Sequence, residues 1–128
     1  MRAACGISLE VKKDEIDLPE RTKQFALTII RLYGSLPKKT EAQVIGTQLL
    51  RSGTGAGANY REAHRARSKA EFIAKCGDVL RELEESSYWM ELLTEGDISR
   101  SENLAPATQE CNELTAIFIT IINRAKGR

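Results

Sequence analysis

Histidine, proline and aromatic residues are scarce in this sequence of 128 residues, which contains one His, three Pro and seven aromatic side chains. With 29% charged residues, this composition disfavours both an all-β sandwich and a disordered tail, and it favours a compact helical protein. No stretch of 18 uninterrupted apolar residues occurs, so we expect no membrane span. The length favours a single domain with a sizeable core.

Cysteine is also sparse, and its placement excludes two classes of small protein. Cys5, Cys76 and Cys111 form no CxxC pair, and their odd number indicates neither a disulfide framework nor a zinc site. The apolar stretch before Ser8 is too short for a signal peptide, so we expect a reducing, cytoplasmic location. The net charge of +1 disfavours a protein that coats nucleic acid by bulk charge, while a local basic patch stays open.

Apolar residues recur with helical spacing in four segments of residues 17–128, which predicts an all-α, antiparallel up-down four-helix bundle. In the first helix the predicted inward positions are Phe25, Ile29, Leu32 and Leu36. In the second they are Ala42, Ile45, Leu49, Ser52, Ala56, Asn59, Ala63 and Ala66. In the third they are Phe72, Cys76, Val79, Leu83, Ser86, Met90 and Leu93. In the fourth they are Leu104, Ala107, Cys111, Leu114, Phe118, Ile121 and Ala125.

Capping residues predict where these helices begin. Asp17 is the expected N-cap of the first helix, with a proline in the first turn. Residues 40–43 (Thr-Glu-Ala-Gln) and 68–71 (Ser-Lys-Ala-Glu) have the form of capping boxes for the second and third helices. Ser99 or Ser101 is expected to cap the fourth. In residues 1–16 apolar and polar side chains alternate only weakly, which fits an edge strand, a docked extension or a disordered segment. We favour a short N-terminal arm that becomes ordered on contact.

Three glycines, Gly53, Gly55 and Gly57, interrupt the second predicted helix, each at a cost of roughly 1 kcal/mol relative to alanine. A phosphate-binding loop is not indicated, because the GxxxxGK[ST] pattern is absent and the preceding residues read as helix rather than strand. We expect a continuous helix whose small residues let two helices, or two subunits, approach closely.

Residues that carry catalysis or bind metals are largely missing. A di-iron bundle needs Glu-x-x-His on two helices, but the single histidine, His64, follows Arg61 at that spacing. Cys76 and Cys111 lie on inward stripes, where a thiol behaves as a small hydrophobic group. We therefore predict no catalytic residue, no metal and no cofactor. A metal-dependent nuclease that uses acidic residues of the third helix is a less favoured alternative.

Charge is distributed unevenly along the chain, and this asymmetry defines the candidate surface. Residues 51–75 carry a net charge of +4 and residues 78–102 a net charge of −6. A phosphate-contacting face, complementarity between subunits and a solvated surface without a partner all stay open. The candidate residues for nucleic-acid or partner binding are Arg51, Asn59, Tyr60, Arg61, Arg65, Arg67, Lys69 and Lys75.

Two of these candidates, Asn59 and Tyr60, lie among the basic residues and suit hydrogen bonding to or stacking on nucleotides. Asn59 suits equally well a role in fixing helix register. A second aromatic pair, Tyr88 and Trp89, lies beside the main stripe of the third helix. The pair either lines a contact between subunits or widens the core, and we favour the core.

Several segments together resemble a known bacterial family, the four-helix-bundle proteins named after open reading frames inside intervening sequences of 23S ribosomal RNA genes. The resemblance covers about residues 18–125 and is most specific in its middle. The matching segments are residues 21–26 (RTKQFA), 41–46 (EAQVIG), 49–54 (LLRSGT), 57–63 (GANYREA), 65–75 (RARSKAEFIAK) and 88–93 (YWMELL). Gly55 and Ala56 stand where family members commonly carry Ser and a β-branched residue.

The resemblance implies a cytosolic bundle similar to members that assemble as ring-shaped homopentamers without established enzymatic activity. It also implies kinship with the accessory proteins of diversity-generating retroelements, pentameric bundles that bind nucleic acid and are usually more basic than this chain. We therefore expect a non-enzymatic, homo-oligomeric scaffold or binding module. Its expected partners are further copies of itself, RNA or DNA, or an unidentified protein, with no membrane. A protein adaptor that binds no nucleic acid is the main alternative.

Overall fold

The computed structural model describes residues 17–128, and this part of the chain forms four α-helices and no strand. The helices are α1 (Leu18–Gly34), α2 (Thr40–His64), α3 (Lys69–Glu95) and α4 (Ser101–Ala125). The prediction of an all-α four-helix bundle is confirmed. The predicted N-terminal arm, residues 1–16, and Cys5 lie outside the described residues.

Neighbouring helices run in opposite directions around the bundle. Side-chain contacts join neighbouring helices near their middles. Between α2 and α3, the hydroxyls of Ser52 and Ser86 lie 2.7 Å apart. The thiol of Cys111 on α4 donates to the Leu83 carbonyl of α3 at 3.2 Å. Arg21 closes the ring of helices by binding the Glu110 carboxylate across α1 and α4, with Nε 2.7 Å from Oε2.

The core follows the predicted stripes closely in three of the four helices. All the inward positions predicted for α3 and α4 are buried, and so are those predicted around α1. The stripe of α2 is wider than predicted, because its close contact with α1 is made by glycines, which carry no apolar side chain for the periodicity to detect. Gly46, Gly53, Gly57 and Tyr60 are buried there, whereas the predicted Ile45 and Asn59 stay partly exposed.

The glycines of α2 permit a close approach to α1. A Cβ atom at Gly53 would lie 2.8 Å from Cγ1 of Ile29, and one at Gly46 would lie 2.6 Å from Cδ1 of Leu36. Real Cβ atoms do not come so near to other carbons, because van der Waals repulsion is strong at these distances. The helix continues through residues 53–57 as expected. Its small residues therefore serve a contact between helices of one chain.

Two of the predicted caps are confirmed. The Asp17 carboxylate accepts the Glu20 amide hydrogen at 3.1 Å and caps α1, with Pro19 in the first turn. The Ser68 hydroxyl accepts the Glu71 amide hydrogen at 3.0 Å and caps α3. The Glu71 carboxylate reaches back one residue further than in a standard box and accepts the Arg67 amide hydrogen at 3.0 Å.

The other two predicted caps are wrong. Thr40 lies inside α2, after Lys39, and makes no capping hydrogen bond. The side chain of Gln43 instead accepts from the Tyr33 hydroxyl at 3.0 Å and donates to the Pro37 carbonyl at 3.1 Å, which joins α2 to the preceding turn. Neither Ser99 nor Ser101 caps α4, because Arg100 occupies the cap position and makes no side-chain capping bond.

Candidate functional site

The up-down topology brings the C-termini of α2 and α4 and the N-termini of α1 and α3 to one end of the bundle. Tyr60 of α2 packs edge-on against Phe118 of α4 here, with ring centroids 5.3 Å apart. Four of the candidate residues lie at this end, in the last turn of α2, the connecting loop and the first residue of α3. We call Arg61, Arg65, Arg67 and Lys69 the basic end.

The cations of the basic end are exposed, and none of the four forms an ion pair with any residue of 17–128. Between residues 58 and 75 the acidic residues are Glu62 and Glu71. Both are already engaged, because Glu62 binds Nζ of Lys75 at 2.6 Å and Glu71 accepts the Arg67 amide hydrogen. Glu20 of α1 also lies near this end: hydrogen bonds from Gln24 and Lys23 lower its pKa, and the charge of Arg61 lowers it further. The carboxylates near the basic end are therefore bound elsewhere or, in the case of Glu20, shared with Lys23.

The loop that carries Arg65 and Arg67 is tied down by consecutive hydrogen bonds. The amide of Arg65 donates to the Glu62 carbonyl at 3.1 Å, and that of Ala66 donates to the Ala63 carbonyl at 3.0 Å. The Ala66 side chain is buried, so this loop is anchored in the core. A loop held in this way has little backbone conformational entropy left to lose on binding.

The fold adds basic residues that the sequence reasoning did not include in the site. Lys126 and Arg128 follow α4 and are exposed at the same end of the bundle. They lie about sixty residues from Arg65 in the chain. The predicted antiparallel order of the four helices could have placed Lys126 and Arg128 near Arg65, because α4 ends at the end of the bundle where α3 begins.

Two predicted candidates, Arg51 and Lys75, are engaged in ion pairs, between α2 and α3 and within α3. Arg51 binds the carboxylates of Glu82, at 3.4 Å, and Glu85. Lys75 binds those of Glu62 and, at 3.5 Å, Asp78. Hydrogen bonding to these carboxylates raises the pKa of Arg51 and of Lys75. Arg51 also lies about 15 Å along α2 from Arg61, so the structure does not place it at the basic end.

Tyr60, a candidate for hydrogen bonding to or stacking on nucleotides, is buried in the structure. Its side chain is 3% exposed and packs against Phe118, because α2 turns this position towards the core rather than towards solvent. Asn59 is partly exposed and donates its side-chain amide to the Gly55 carbonyl of its own helix at 3.1 Å.

The prediction that Tyr88 and Trp89 widen the core is wrong for Tyr88, whose side chain is 52% exposed. Trp89 packs partly against the core, with its ring centroid 5.0 Å from that of Tyr88. The indole nitrogen of Trp89 is enclosed and has no hydrogen-bond partner among residues 17–128. The aromatic pair therefore lies at the edge of the core, with Tyr88 facing solvent.

The two cysteines of the described chain are buried, as predicted. Burial raises the pKa of the Cys111 thiol to about 11. A thiol in that state is a poor nucleophile, because the reactive species is the thiolate. Across residues 17–128 no cluster of His, Cys, Asp and Glu side chains has the geometry to hold a metal ion. Nor does any helix of that part have the length and apolar character to cross a membrane.

The fold and the site together define an all-α bundle protein with a basic end. Residues 14–120 match the family model of the 23S rRNA-intervening sequence proteins, and the chain belongs to this family. It is similar to a protein with unknown function from the S23 ribosomal protein family of Bacteroides thetaiotaomicron VPI-5482, whose crystal structure was determined at 1.70 Å resolution. The two share 36% sequence identity, with 82% of this chain and 97% of that chain covered, and the TM-score is 0.77. No curated protein is significantly similar to the chain.

Proposed function

We propose that this protein is a non-enzymatic, cytoplasmic homopentamer that binds the phosphate backbone of a nucleic acid, RNA or DNA, through its basic end. One observation carries the binding proposal. Arg61, Arg65, Arg67 and Lys69 are exposed, form no ion pair within residues 17–128, and lie on or beside a loop that is hydrogen-bonded in place.

Such a surface suits a phosphate backbone better than it suits base recognition. Arginine donates two parallel hydrogen bonds to phosphate oxygens, and three of the four side chains are arginine. The aromatic candidate for base stacking, Tyr60, is buried, so this side chain is not available to bases. The expected binding is therefore strongly salt-dependent and weakly selective for sequence.

Assembly into a ring would compensate for the small charge of one chain. The formal net charge is only +1, and a single basic end has four cations. Repeating that end in each subunit of a homopentamer places several such sites along one strand, which raises avidity without new contacts. The pentamer is what the family resemblance implies.

A direct test is the salt dependence of RNA binding, followed by the anisotropy of a labelled single-stranded RNA between 50 and 300 mM KCl as an approximate range. Four phosphate contacts predict a slope of log K against log salt of about −3 for each subunit engaged. The double variant Arg65→Glu, Arg67→Glu should bind at least about 10-fold more weakly, with a slope shallower by about 1.4. The matched control is Lys38→Glu, Lys39→Glu, which makes the same change of charge at exposed residues of the opposite end.

Equal affinities of the two double variants would remove the basic end from the binding site. If the wild-type protein shows no RNA or DNA affinity even at the lowest salt, the binding proposal fails and the adaptor for another protein becomes the favoured alternative. A fixed-time RNA cleavage assay with Mg²⁺ or Mn²⁺ tests the enzymatic alternative, and we expect intact RNA.

A further inference from the structure

An exposed apolar patch lies on α2 and α3, towards the end of the bundle opposite the basic end. Val44 and Tyr88 are 60% and 52% exposed, more than any other large hydrophobic residue of the described chain. Trp89 adjoins Tyr88. Since Arg51 pairs with Glu82 and Glu85, Val44, seven residues earlier on α2, lies level with residues 89–92 of antiparallel α3. We call Val44, Tyr88 and Trp89 the aromatic patch.

Acidic residues flank the aromatic patch. Glu84, Glu91 and Glu95 precede or follow Tyr88 at helical spacing, so they share its face of α3. All three are exposed, and none forms an ion pair within residues 17–128. A partner for this face must therefore combine apolar side chains with positive charge.

The outer face of α1 has that character. Leu27 and Ile30 are exposed, and Ile30 is 46% accessible. Lys23 and Arg31 flank them, four residues before Leu27 and one after Ile30. Lys23 also binds the Glu20 carboxylate at 3.1 Å, whereas Arg31 forms no ion pair within residues 17–128. At 1.5 Å per residue, Lys23 and Arg31 lie about 12 Å apart along the axis, and Glu84 and Glu91 lie about 10.5 Å apart. We call Lys23, Leu27, Ile30 and Arg31 the α1 ridge.

We propose that the aromatic patch of one copy binds the α1 ridge of a second copy. Tyrosine and tryptophan supply most of the energy in many interfaces, and the carboxylates around them match the cations of the ridge in sign and spacing. Within one chain α1 packs against α2 and α4, so the ridge and the patch lie on different sides of the bundle. Contacts between two different surfaces generate rings when the rotation closes. The inference rests on the proposed homopentamer and names the surfaces that build it.

Substitutions at two exposed residues test the two surfaces separately. Tyr88→Lys places a cation in the patch and leaves the ridge intact, whereas Ile30→Glu places an acid in the ridge and leaves the patch intact. Each variant alone should lose assembly, with a mass near that of one chain by light scattering on a sizing column. Ile119→Lys is the control, because Ile119 is similarly exposed, at 43%, but belongs to neither surface. Unchanged far-ultraviolet circular dichroism establishes that each variant is folded.

Mixing the two variants gives the sharpest result. The Ile30→Glu variant keeps an intact patch and the Tyr88→Lys variant keeps an intact ridge. The mixture should therefore form a species of two chains that cannot grow further. Trp89 is the only tryptophan of the chain, and its emission should shift to shorter wavelength in the mixture but not in either variant alone. The inference is overturned if the mixture stays at the mass of one chain, or if both variants keep the wild-type mass.

The wild-type mass separates this failure from failure of the proposed function. A wild-type protein that assembles, with variants that assemble equally well, contradicts only the choice of surfaces. A wild-type monomer contradicts the homopentamer as well as these surfaces. Nucleic-acid binding by Arg65 and Arg67 is measured independently of either result.

Discussion

The close contact between α1 and α2 is most directly probed by comparing two glycine-to-alanine substitutions. Gly53 and Gly77 both lie inside helices, α2 and α3 respectively. A Cβ at Gly53 would come within 2.8 to 3.1 Å of Cγ1, Cγ2 and Cβ of Ile29, whereas one at Gly77 would meet nothing within 4 Å. The same chemical change is therefore made once in a filled space and once in an open one.

The expected effects have opposite sign. Alanine is favoured over glycine in a helix interior by about 0.8–1.0 kcal/mol, and Gly77→Ala should raise the free energy of unfolding by about that amount. At Gly53 the same gain is opposed by overpacking, which typically costs 1–3 kcal/mol. Ile29 is fully buried and meets the new methyl group with its branched Cβ, so it cannot yield by rotating a flexible end. We expect a net loss of about 1–2 kcal/mol for Gly53→Ala.

Chemical and thermal unfolding at one fixed protein concentration measure both variants against the wild type. The transition temperature should rise by about 3–5 °C for Gly77→Ala and fall by a similar or larger amount for Gly53→Ala. The reasoning is refuted if Gly53→Ala is as stable as Gly77→Ala, because the close approach of α1 to α2 would then not be needed.

Two further predictions concern the turn after α3 and the core thiol. Asp97 adopts a left-handed backbone with φ 57°, while the amide of Ile98 donates to the Leu93 carbonyl at 3.0 Å. Because glycine adopts this conformation without steric cost, Asp97→Gly should stabilise the fold by about 0.5–1 kcal/mol, whereas Asp97→Ala should not. Urea unfolding of the two variants checks this prediction, and equal stabilities would contradict it. Because the pKa of Cys111 is raised from 9.0 to about 11, its contribution to stability is fully present below pH 9 and is lost as the pH rises towards 11. Across that range the wild type should lose about 2 kcal/mol more unfolding free energy than Cys111→Ala, and parallel pH profiles would show that the thiol does not govern the loss.

The sequence predicted most of the fold because helical periodicity identifies a core stripe directly. It failed for α2, which buries Tyr60 and three glycines beside the predicted stripe, because glycine has no apolar side chain and hydrophobic periodicity does not tell how wide a stripe is. Two of the four predicted caps, those of α2 and α4, are wrong for a local reason. Thr40 has the right side chain, but the chain enters the helical conformation one residue earlier than a Thr40 cap requires.

The candidate site was predictable in part. Arg61, Arg65, Arg67 and Lys69 are consecutive enough in sequence to be grouped by charge alone. Arg51 and Lys75 belong to the same charged segment, yet each has a carboxylate partner on the neighbouring helix, and only the packing of α2 on α3 reveals those pairs. Lys126 joins the basic end through the topology of the bundle, which no local pattern contains.

The central claim, a homopentamer that binds nucleic acid, is tested most directly by light scattering on a sizing column at low salt, with and without single-stranded RNA. We predict a mass five times the 14.2 kDa of one chain, and a larger species when RNA is added. A mass of 14.2 kDa that RNA leaves unchanged would contradict both parts of the claim.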